Sequence, residues 1–446
     1  MAAHPMPMGR AGARRPEFAI DRRSRWFDIL IVSGIFSAIL FNLVIGPLAV
    51  VIVFAAVCAF CLFRWERLPR MLLECWPLFL LPAMTLLSAL WSDVPATTLR
   101  YGLLFSVTVF AGIIVGGGVR RSAYLNGHFL AFAVYSVSSI LFGRWVEWGE
   151  GAGDAYAGLA GSKNAAGDMA GVAILVTIVF VRSMFKSNRR IAGLAACGLF
   201  PLLGWLLVSS RATGALIATL MASACLIAWL FSAQFERQVR GGIFVGATVA
   251  AVLALITQQW WLQPIFDLVL NASGKDAGLT GRAELWAFGD HLIAERPWLG
   301  LGYGAFWLKD SVDARYLWDM MGIESHQGFN FHNTFKEILV HLGYVGLGVA
   351  AIMAATGVTM LLFKTMKTAS LESILAFTLC FYFAVKMPFE VIGFDSMHFT
   401  TVTMYALFAI GLRRDDASGV RVGLSRKTPS PTATSRLSLR QGRPVV

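Results

Sequence analysis

Residues 47–63 read PLAVVIVFAAVCAFCLF and carry no charged side chain. A helix of this length crosses a bilayer core of about 30 Å, and comparable apolar runs recur along almost the whole chain. Of the 446 residues, 57% are hydrophobic and only 14% are charged, which is too apolar for an ordinary soluble protein. The composition therefore predicts an all-α integral membrane protein.

Hydropathy along the chain predicts about twelve transmembrane helices. The predicted spans are residues 27–45, 47–63, 75–91, 101–118, 123–142, 165–182, 191–208, 212–231, 242–260, 342–363, 371–390 and 397–412. With the N-terminus in the cytoplasm, each even-numbered span returns to a basic loop, as the positive-inside rule expects. Both termini are then cytoplasmic, and the outer loops carry few cations.

The segments outside the predicted spans define the domain organisation. Residues 1–25 and 414–446 are rich in Arg, Ser, Thr, Pro and Gly, so we predict disordered cytoplasmic tails around one membrane domain over 26–413. The longest outer loop, 261–341, is where we expect the chemistry. The net charge of +12 follows from the basic cytoplasmic side, so it does not indicate a nucleic-acid partner.

The long outer loop contains one predicted helix and one predicted turn. Apolar side chains recur there at the spacing of an amphipathic helix on a membrane surface, namely Leu285, Phe288, Leu292 and Ile293. This stripe indicates packing, and Pro297 ends the helix before the glycine- and aromatic-rich segment 298–307. Its glycines fit no nucleotide-binding motif, and the outer loops lack metal-binding and covalent-nucleophile motifs. We therefore expect acid–base and electrostatic chemistry without a metal or a cofactor.

Cationic or titratable residues lie at or shortly before the predicted outer ends of spans four, six, eight and ten, namely Arg100, Lys163, Arg211 and His332. Helix N-termini already favour anions, so these residues are candidates for an anion-binding site. Arg282 begins the predicted loop helix, and two guanidiniums, Arg211 and Arg282, are suited to bidentate binding of a pyrophosphate. A helix N-terminus favours the neutral form of His332, which is what a general base requires.

Each of these candidates also has a purely structural interpretation. Interfacial arginines extend to phospholipid headgroups, which applies to Arg211 and more strongly to Arg100 and Lys163. Arg282 could be a solvated residue at a helix start, and a lone histidine such as His332 is often only part of the packing.

Lys386 lies within span 371–390, where an ion is costly. Glu390, one turn away, predicts either a structural ion pair beside the kink of Pro388 or a functional pair. An intramembrane lysine in a protein of many spans also suits a polysaccharide transporter or flippase, which binds its substrate near the midplane. Against a transporter, the polar motifs concentrate in an outer loop and the two halves show no convincing repeat.

The polar motifs cluster between roughly residues 155 and 350. They are GSKNAAG at 161–167, SSRATG at 209–214, LTGRAELW at 279–286, RPWLGLGYGAFW at 296–307 and HNTFKEILVHLGYVGL at 332–347. In combination they resemble the O-antigen ligase and polymerase superfamily. The remainder of the chain matches that superfamily only as a hydrophobic multi-span pattern.

This resemblance implies a membrane glycosyltransferase that moves a glycan from an undecaprenyl-diphosphate carrier to an acceptor hydroxyl, at the periplasmic face of the bacterial inner membrane. By similarity, Arg211 and Arg282 would hold the diphosphate, with Arg100 and Lys163 as further substrate-binding candidates. His332 would deprotonate the acceptor, and the anomeric carbon would be inverted without nucleotide sugar or metal.

The segment 296–307 looks most like the exopolysaccharide-polymerase branch, where the acceptor is another lipid-linked repeat. A lipid A core acceptor would instead make the protein an O-antigen ligase. Membrane lipids and other polysaccharide export proteins are further expected partners. One departure concerns His332, because no acidic residue near it in sequence would orient it, and Glu337 does not share its helical face.

Overall fold

The computed structural model describes residues 17–147, 153–260, 281–326 and 328–414. Within these ranges the chain is almost entirely helical, which confirms the all-α fold class. The α-helices are Glu17–Leu40, Asn42–Ile45, Leu48–Phe63, Leu68–Glu74, Leu80–Leu87, Pro95–Ile113, Arg121–Phe142, Lys163–Lys186, Arg190–Cys197, Leu199–Ser209, Thr213–Ser232, Arg237–Ile256, Arg282–Glu295, Val312–Met320, Thr334–Thr368, Leu371–Lys386 and Phe399–Leu412. Short 3-10 turns (Trp65–Arg67, Trp76–Phe79, Ser88–Leu90), a π-helical turn (Ile114–Gly118) and an antiparallel hairpin (Arg144–Glu147 with Asp154–Gly158) complete the described elements.

Every predicted span overlaps a helix or a run of helices. Of the described helices, six are long and apolar enough to cross a membrane, namely Pro95–Gly118, Arg121–Phe142, Lys163–Lys186, Arg190–Ser209, Thr213–Ser232 and Thr334–Thr368. A seventh candidate, Leu48–Phe63 with Trp65–Glu74, is bent by 82°. The protein is thus a multi-pass membrane protein, while the number of crossings and their orientation stay predictions.

The predicted tails and loops fall only partly within the described ranges. Residues 1–16, 415–446 and the first part of the long loop, 261–280, lie outside them. The first helix begins at Glu17, inside the segment predicted as a tail. The helix of the eleventh predicted span ends at Lys386, so Glu390 lies beyond it in the following loop.

The short helix Phe399–Leu412 forms the centre of the bundle, because every residue from Phe399 to Gly411 is buried. A helix that is apolar on all sides belongs in such a core. Neighbouring helices approach it closely through glycine: a Cβ at Gly116 would lie 2.0 Å from the Ala406 carbonyl oxygen, and one at Gly357 would lie 2.5 Å from the Phe408 ring. Small residues thus bring the backbones together, as is typical of membrane helices.

The helix Thr334–Thr368 is broken at Gly343, which has φ 62° and ψ −166°. The segment 297–302 fills the break with backbone hydrogen bonds. The N–H groups of Leu301 and Gly302 donate to the carbonyls of Val340 and His341, both at 2.9 Å. On the other side of the break, the N–H groups of Tyr344 and Val345 donate to the carbonyls of Pro297 and Trp298, at 2.8 and 3.1 Å. The break therefore fixes the glycine-rich segment to residues 340–345 of the helix.

The loop helix Arg282–Glu295 confirms the predicted amphipathic helix. Its apolar stripe faces protein, because Leu285, Leu292 and Ile293 are buried in a second hydrophobic core together with Trp318 and Phe331. The partner of the stripe is therefore this core and not the membrane surface. The core gives the described part of the long loop, from Gly281 onward, its own packing.

We expect Gly343→Ala to destabilise the protein by roughly 2 kcal/mol or more, because it adds a Cβ at a left-handed φ. That atom would lie 2.3 Å from the carbonyl carbon of Trp298. The matched control is Gly348→Ala on the same helix, where a Cβ meets nothing within 4 Å. Thermal unfolding of the detergent-purified variants measures the difference. Equal midpoints for the two variants would show that the break does not constrain the fold.

Candidate functional site

The start of the helix Thr334–Thr368 is held by the loop that follows Lys386. Asn333 caps the helix, since its side-chain oxygen accepts from the N–H groups of Phe335 and Lys336 at 3.0 and 3.1 Å. Its amide nitrogen donates to the Pro388 carbonyl at 3.1 Å. The Thr334 hydroxyl donates to the Glu390 carbonyl at 2.7 Å. These bonds place His332, the residue before the cap, beside the side chain of Glu390.

Glu390 joins three polar side chains from distant parts of the chain. Its Oε2 lies 3.0 Å from Nδ1 of His332, and its Oε1 accepts from Asn164 Nδ2 at 2.8 Å and from an Arg282 guanidinium nitrogen at 3.3 Å. Only 14% of the Glu390 side chain is exposed. The orienting group that the sequence near His332 does not supply is therefore Glu390, 58 residues further along the chain.

The charge state of Glu390 follows from this environment. Burial raises the pKa of this carboxyl, but the hydrogen bond from His332 and the charges of His332, Lys386 and Arg282 outweigh burial and lower the pKa to about 2. The carboxylate is therefore ionised at neutral pH and only accepts hydrogen bonds. In the neutral form of His332, Nδ1 carries the hydrogen and donates it to Glu390, so Nε2 is the nitrogen that can accept a proton from a substrate.

Two candidate residues have left-handed backbones, which are uncommon outside glycine. His332 has φ 47° and Arg211 has φ 50°. At His332, the Asn330 side-chain oxygen accepts from the backbone N–H at 2.9 Å and so supports this conformation. Strain of this kind persists only where the surroundings enforce it, and it concentrates at functional sites.

Arg211 lies just before the helix Thr213–Ser232 and is exposed. A Cβ at Gly153, the residue before the second hairpin strand, would lie 3.3 Å from a guanidinium nitrogen of Arg211. Gly214, at the same helix start, is close to Lys386, because a Cβ there would lie 3.5 Å from Nζ. The Arg211 end of this helix therefore adjoins the segment that leads to Glu390.

Lys386 does not form the predicted pair with Glu390. Its Nζ lies 3.0 Å from Asp168 Oδ1 on the helix Lys163–Lys186, and both side chains are at most 8% exposed. The Tyr382 hydroxyl donates to the same Asp168 oxygen at 2.7 Å. The prediction was wrong because it considered only the near neighbour in sequence. A carboxylate on another helix offers Lys386 a closer and more buried partner.

The two remaining candidates, Lys163 and Arg100, differ in how close they lie to Glu390 and its partners. Lys163 begins its helix after the cap Ser162, and it is the neighbouring Asn164 that reaches Glu390. Arg100 is exposed, and its guanidinium carbon lies 5.9 Å from the ring centroid of Tyr101. The contacts of the structure thus join Arg282 and His332 through Glu390 and bring in the residue after Lys163. They do not connect Arg100 directly to this group.

Asn164, Asp168 and Glu390 were not assigned a role at this site by the sequence motifs. Asn164 lies within the quoted motif 161–167, but nothing in that motif identifies a partner. Asp168 carried a usable signal, because an acid inside one apolar span and a lysine inside another are expected to pair. Among the described residues, no group of three or more His, Cys, Asp or Glu side chains is arranged to hold a metal ion.

Comparison with known proteins shows which family the chain is similar to. Residues 198–351 match the O-antigen ligase family. This confirms the resemblance indicated by the motifs, and the matched segment contains Arg211, Arg282 and His332. The chain is also 29% identical over 266 residues to the exopolysaccharide production protein ExoQ of Rhizobium meliloti (strain 1021). That similarity covers 60% of this chain and 60% of ExoQ.

We expect Lys386→Met alone to destabilise the protein by roughly 3–5 kcal/mol, because it leaves the buried Asp168 carboxylate without its cation. Adding Asp168→Asn removes that unpaired charge and should recover most of the loss. Lys309→Met, at an exposed loop position, is the control. Thermal unfolding of the three proteins tests the pair, and a Lys386→Met variant as stable as the control would argue against it.

Proposed function

We propose that the protein is a membrane glycosyltransferase of exopolysaccharide or O-antigen biosynthesis that polymerises glycan repeats. The donor would be a glycan on undecaprenyl diphosphate, and the acceptor a hydroxyl of another lipid-linked repeat at the periplasmic face of the inner membrane. The observation that supports this most is the contact of one ionised carboxylate, Glu390, with both His332 and Arg282. Through this contact a histidine, which is able to accept a proton, and an arginine, which is suited to bind phosphate, share one partner.

His332 is proposed as the general base. With Nδ1 directed to Glu390, Nε2 would take the proton of the acceptor hydroxyl as its oxygen attacks the anomeric carbon. The new glycosidic C–O bond forms while the C–O bond to the diphosphate breaks, and attack from the opposite face inverts the anomeric centre. The Glu390 carboxylate stabilises the imidazolium that results, and the proton then leaves to solvent.

Arg211 and Arg282 are proposed to bind the diphosphate, with Arg100 and Lys163 as further contacts for the anionic carrier. The leaving diphosphate gains negative charge in the transition state, so guanidiniums placed against it lower the barrier. These charges come from side chains, so the proposed mechanism uses no metal and no cofactor. One alternative for the acceptor is a lipid A core, as in an O-antigen ligase, and the match to the O-antigen ligase family supports this alternative.

Purified protein in nanodiscs, incubated with an undecaprenyl-diphosphate oligosaccharide, tests this function. We expect glycans of increasing length on the lipid, and transfer to added lipid A core would select the ligase alternative. His332→Ala and Arg282→Ala should each reduce transfer by about 10²-fold or more, with unchanged membrane insertion. Net movement of the lipid-linked glycan across the bilayer without transfer would refute the enzyme and favour a transporter.

A second experiment tests the role of Glu390 in positioning His332. Glu390→Gln keeps the size of the side chain but removes the charge that stabilises the imidazolium, so we expect kcat to fall by about 10²-fold with a smaller change in KM. Glu390→Asp should retain part of the activity. Glu295→Gln is the control, because Glu295 is exposed on the loop helix. Full activity of Glu390→Gln would remove Glu390 from the mechanism.

A further inference from the structure

A cavity of about 290 Å³ lies beside the proposed base, and none of the proposed catalytic or diphosphate-binding residues lines it. Its walls include the aromatic residues Tyr101, Trp307 and Phe329 and the polar residues Asn330, Glu337 and Asp395. Phe329 packs edge-to-face against His332, with ring centroids 5.3 Å apart. Asn330 supports the His332 backbone. Whatever occupies the cavity therefore lies against residues that contact His332.

The cavity is sized and lined for one small polar ring. Ligand pockets for drug-sized molecules range over about 300–1,000 Å³, so this volume accommodates a single unit rather than an oligosaccharide. Aromatic faces pack against the C–H groups of a sugar ring, while carboxyl and amide groups bind its hydroxyls. Rings and hydrogen-bonding groups of both kinds are present here.

The two carboxyl groups of the cavity differ in what they can offer a ligand. Glu337 is already engaged: His341 Nε2 and Trp307 Nε1 lie 3.1 and 3.3 Å from its Oε1, and the Phe331 N–H donates to its Oε2 at 2.8 Å. For the Asp395 carboxyl, no hydrogen-bond partner is found within the described part of the chain. Of the two carboxyl groups, Asp395 is thus the one available for a ligand hydroxyl.

The electrostatic environment of Asp395 disfavours a second negative charge in the cavity. Burial and the negative charge of Glu337 raise the pKa of Asp395 to about 7; Glu390 adds to this effect and His341 opposes it. At neutral pH the Asp395 carboxyl both donates and accepts hydrogen bonds. A sugar carboxylate would meet the charge of Glu337, and above pH 7 that of Asp395 as well. Such an arrangement selects against acidic sugars.

We propose that this cavity is a subsite for one uncharged sugar residue of the glycan substrate, with Asp395 as its hydroxyl-binding group. The inference rests on the proposed function for the identity of the glycan, but binding of a sugar is measurable without catalysis. An uncharged sugar from either the donor or the acceptor would satisfy the same chemistry.

Saturation-transfer NMR on the full-length protein in nanodiscs tests the subsite directly. The probes are methyl β-D-glucopyranoside, methyl β-D-galactopyranoside and methyl β-D-glucuronide at pH 8. We expect at least one neutral glycoside to bind, and the glucuronide to bind about tenfold more weakly. Asp395→Leu should weaken neutral-sugar binding by about tenfold, and Asp395→Asn by less, because the amide still bonds to hydroxyls. Asp310→Asn, at an exposed position of the long loop, is the control.

The outcomes separate this inference from the proposed function. Asp395-dependent sugar binding without any glycosyl transfer would support the subsite and refute the transferase. Transfer activity with no neutral-glycoside binding, or with binding that Asp395→Leu and Asp395→Asn leave unchanged, would overturn the subsite alone. In the transfer assay, a raised KM of Asp395→Leu for the acceptor or for the donor supports the subsite and identifies the source of the sugar. Unchanged KM values for both overturn it.

Discussion

The break in the helix Thr334–Thr368 at Gly343 is the constraint on which the site depends. A helix interrupted near the membrane leaves backbone carbonyls and N–H groups that water does not satisfy, and each unpaired group is costly. Here the missing helical bonds are replaced by bonds from the segment 297–302, whose glycines allow the backbones to meet. The long loop is therefore anchored to the helix through its own backbone, and the positions of its side chains follow from this anchoring.

Two chemically different regions result at the start of this helix. On one side, His332 and the cap residue Asn333 are bonded to the segment 388–390, which gives the histidine a fixed carboxylate partner. On the other side, Glu337 and His341 lie one and two turns into the helix and face the cavity. Because His332 and Asn333 directly precede the two turns that carry Glu337 and His341, the capped start of the helix holds the proposed base at a short distance from the cavity. The strained backbone of His332 is the local cost of this arrangement.

An apolar run and a 3.6-residue period predicted the helices and the amphipathic loop helix, and a cationic or titratable residue at a helix start made Arg282 and His332 candidates for the site. The sequence did not predict the partner of His332, since Glu390 and Asn164 are distant in the chain and only the packing of three segments brings them together. The error at Lys386 has the same origin. Proximity in sequence suggested Glu390, whereas tertiary packing placed Asp168 against the lysine.

Glu390 and Asp395 show how packing alone assigns different roles to similar side chains on one loop. Burial disfavours the charged form of both carboxyls, yet the pKa of Glu390 falls to about 2 and that of Asp395 rises to about 7. The difference lies in their neighbours: Glu390 has His332, Lys386 and Arg282 around it, whereas Asp395 faces the carboxylate of Glu337. A permanently ionised group suits the orientation of a histidine and the stabilisation of its cation. A group that titrates near neutrality suits hydroxyl binding, because it both donates and accepts a hydrogen bond.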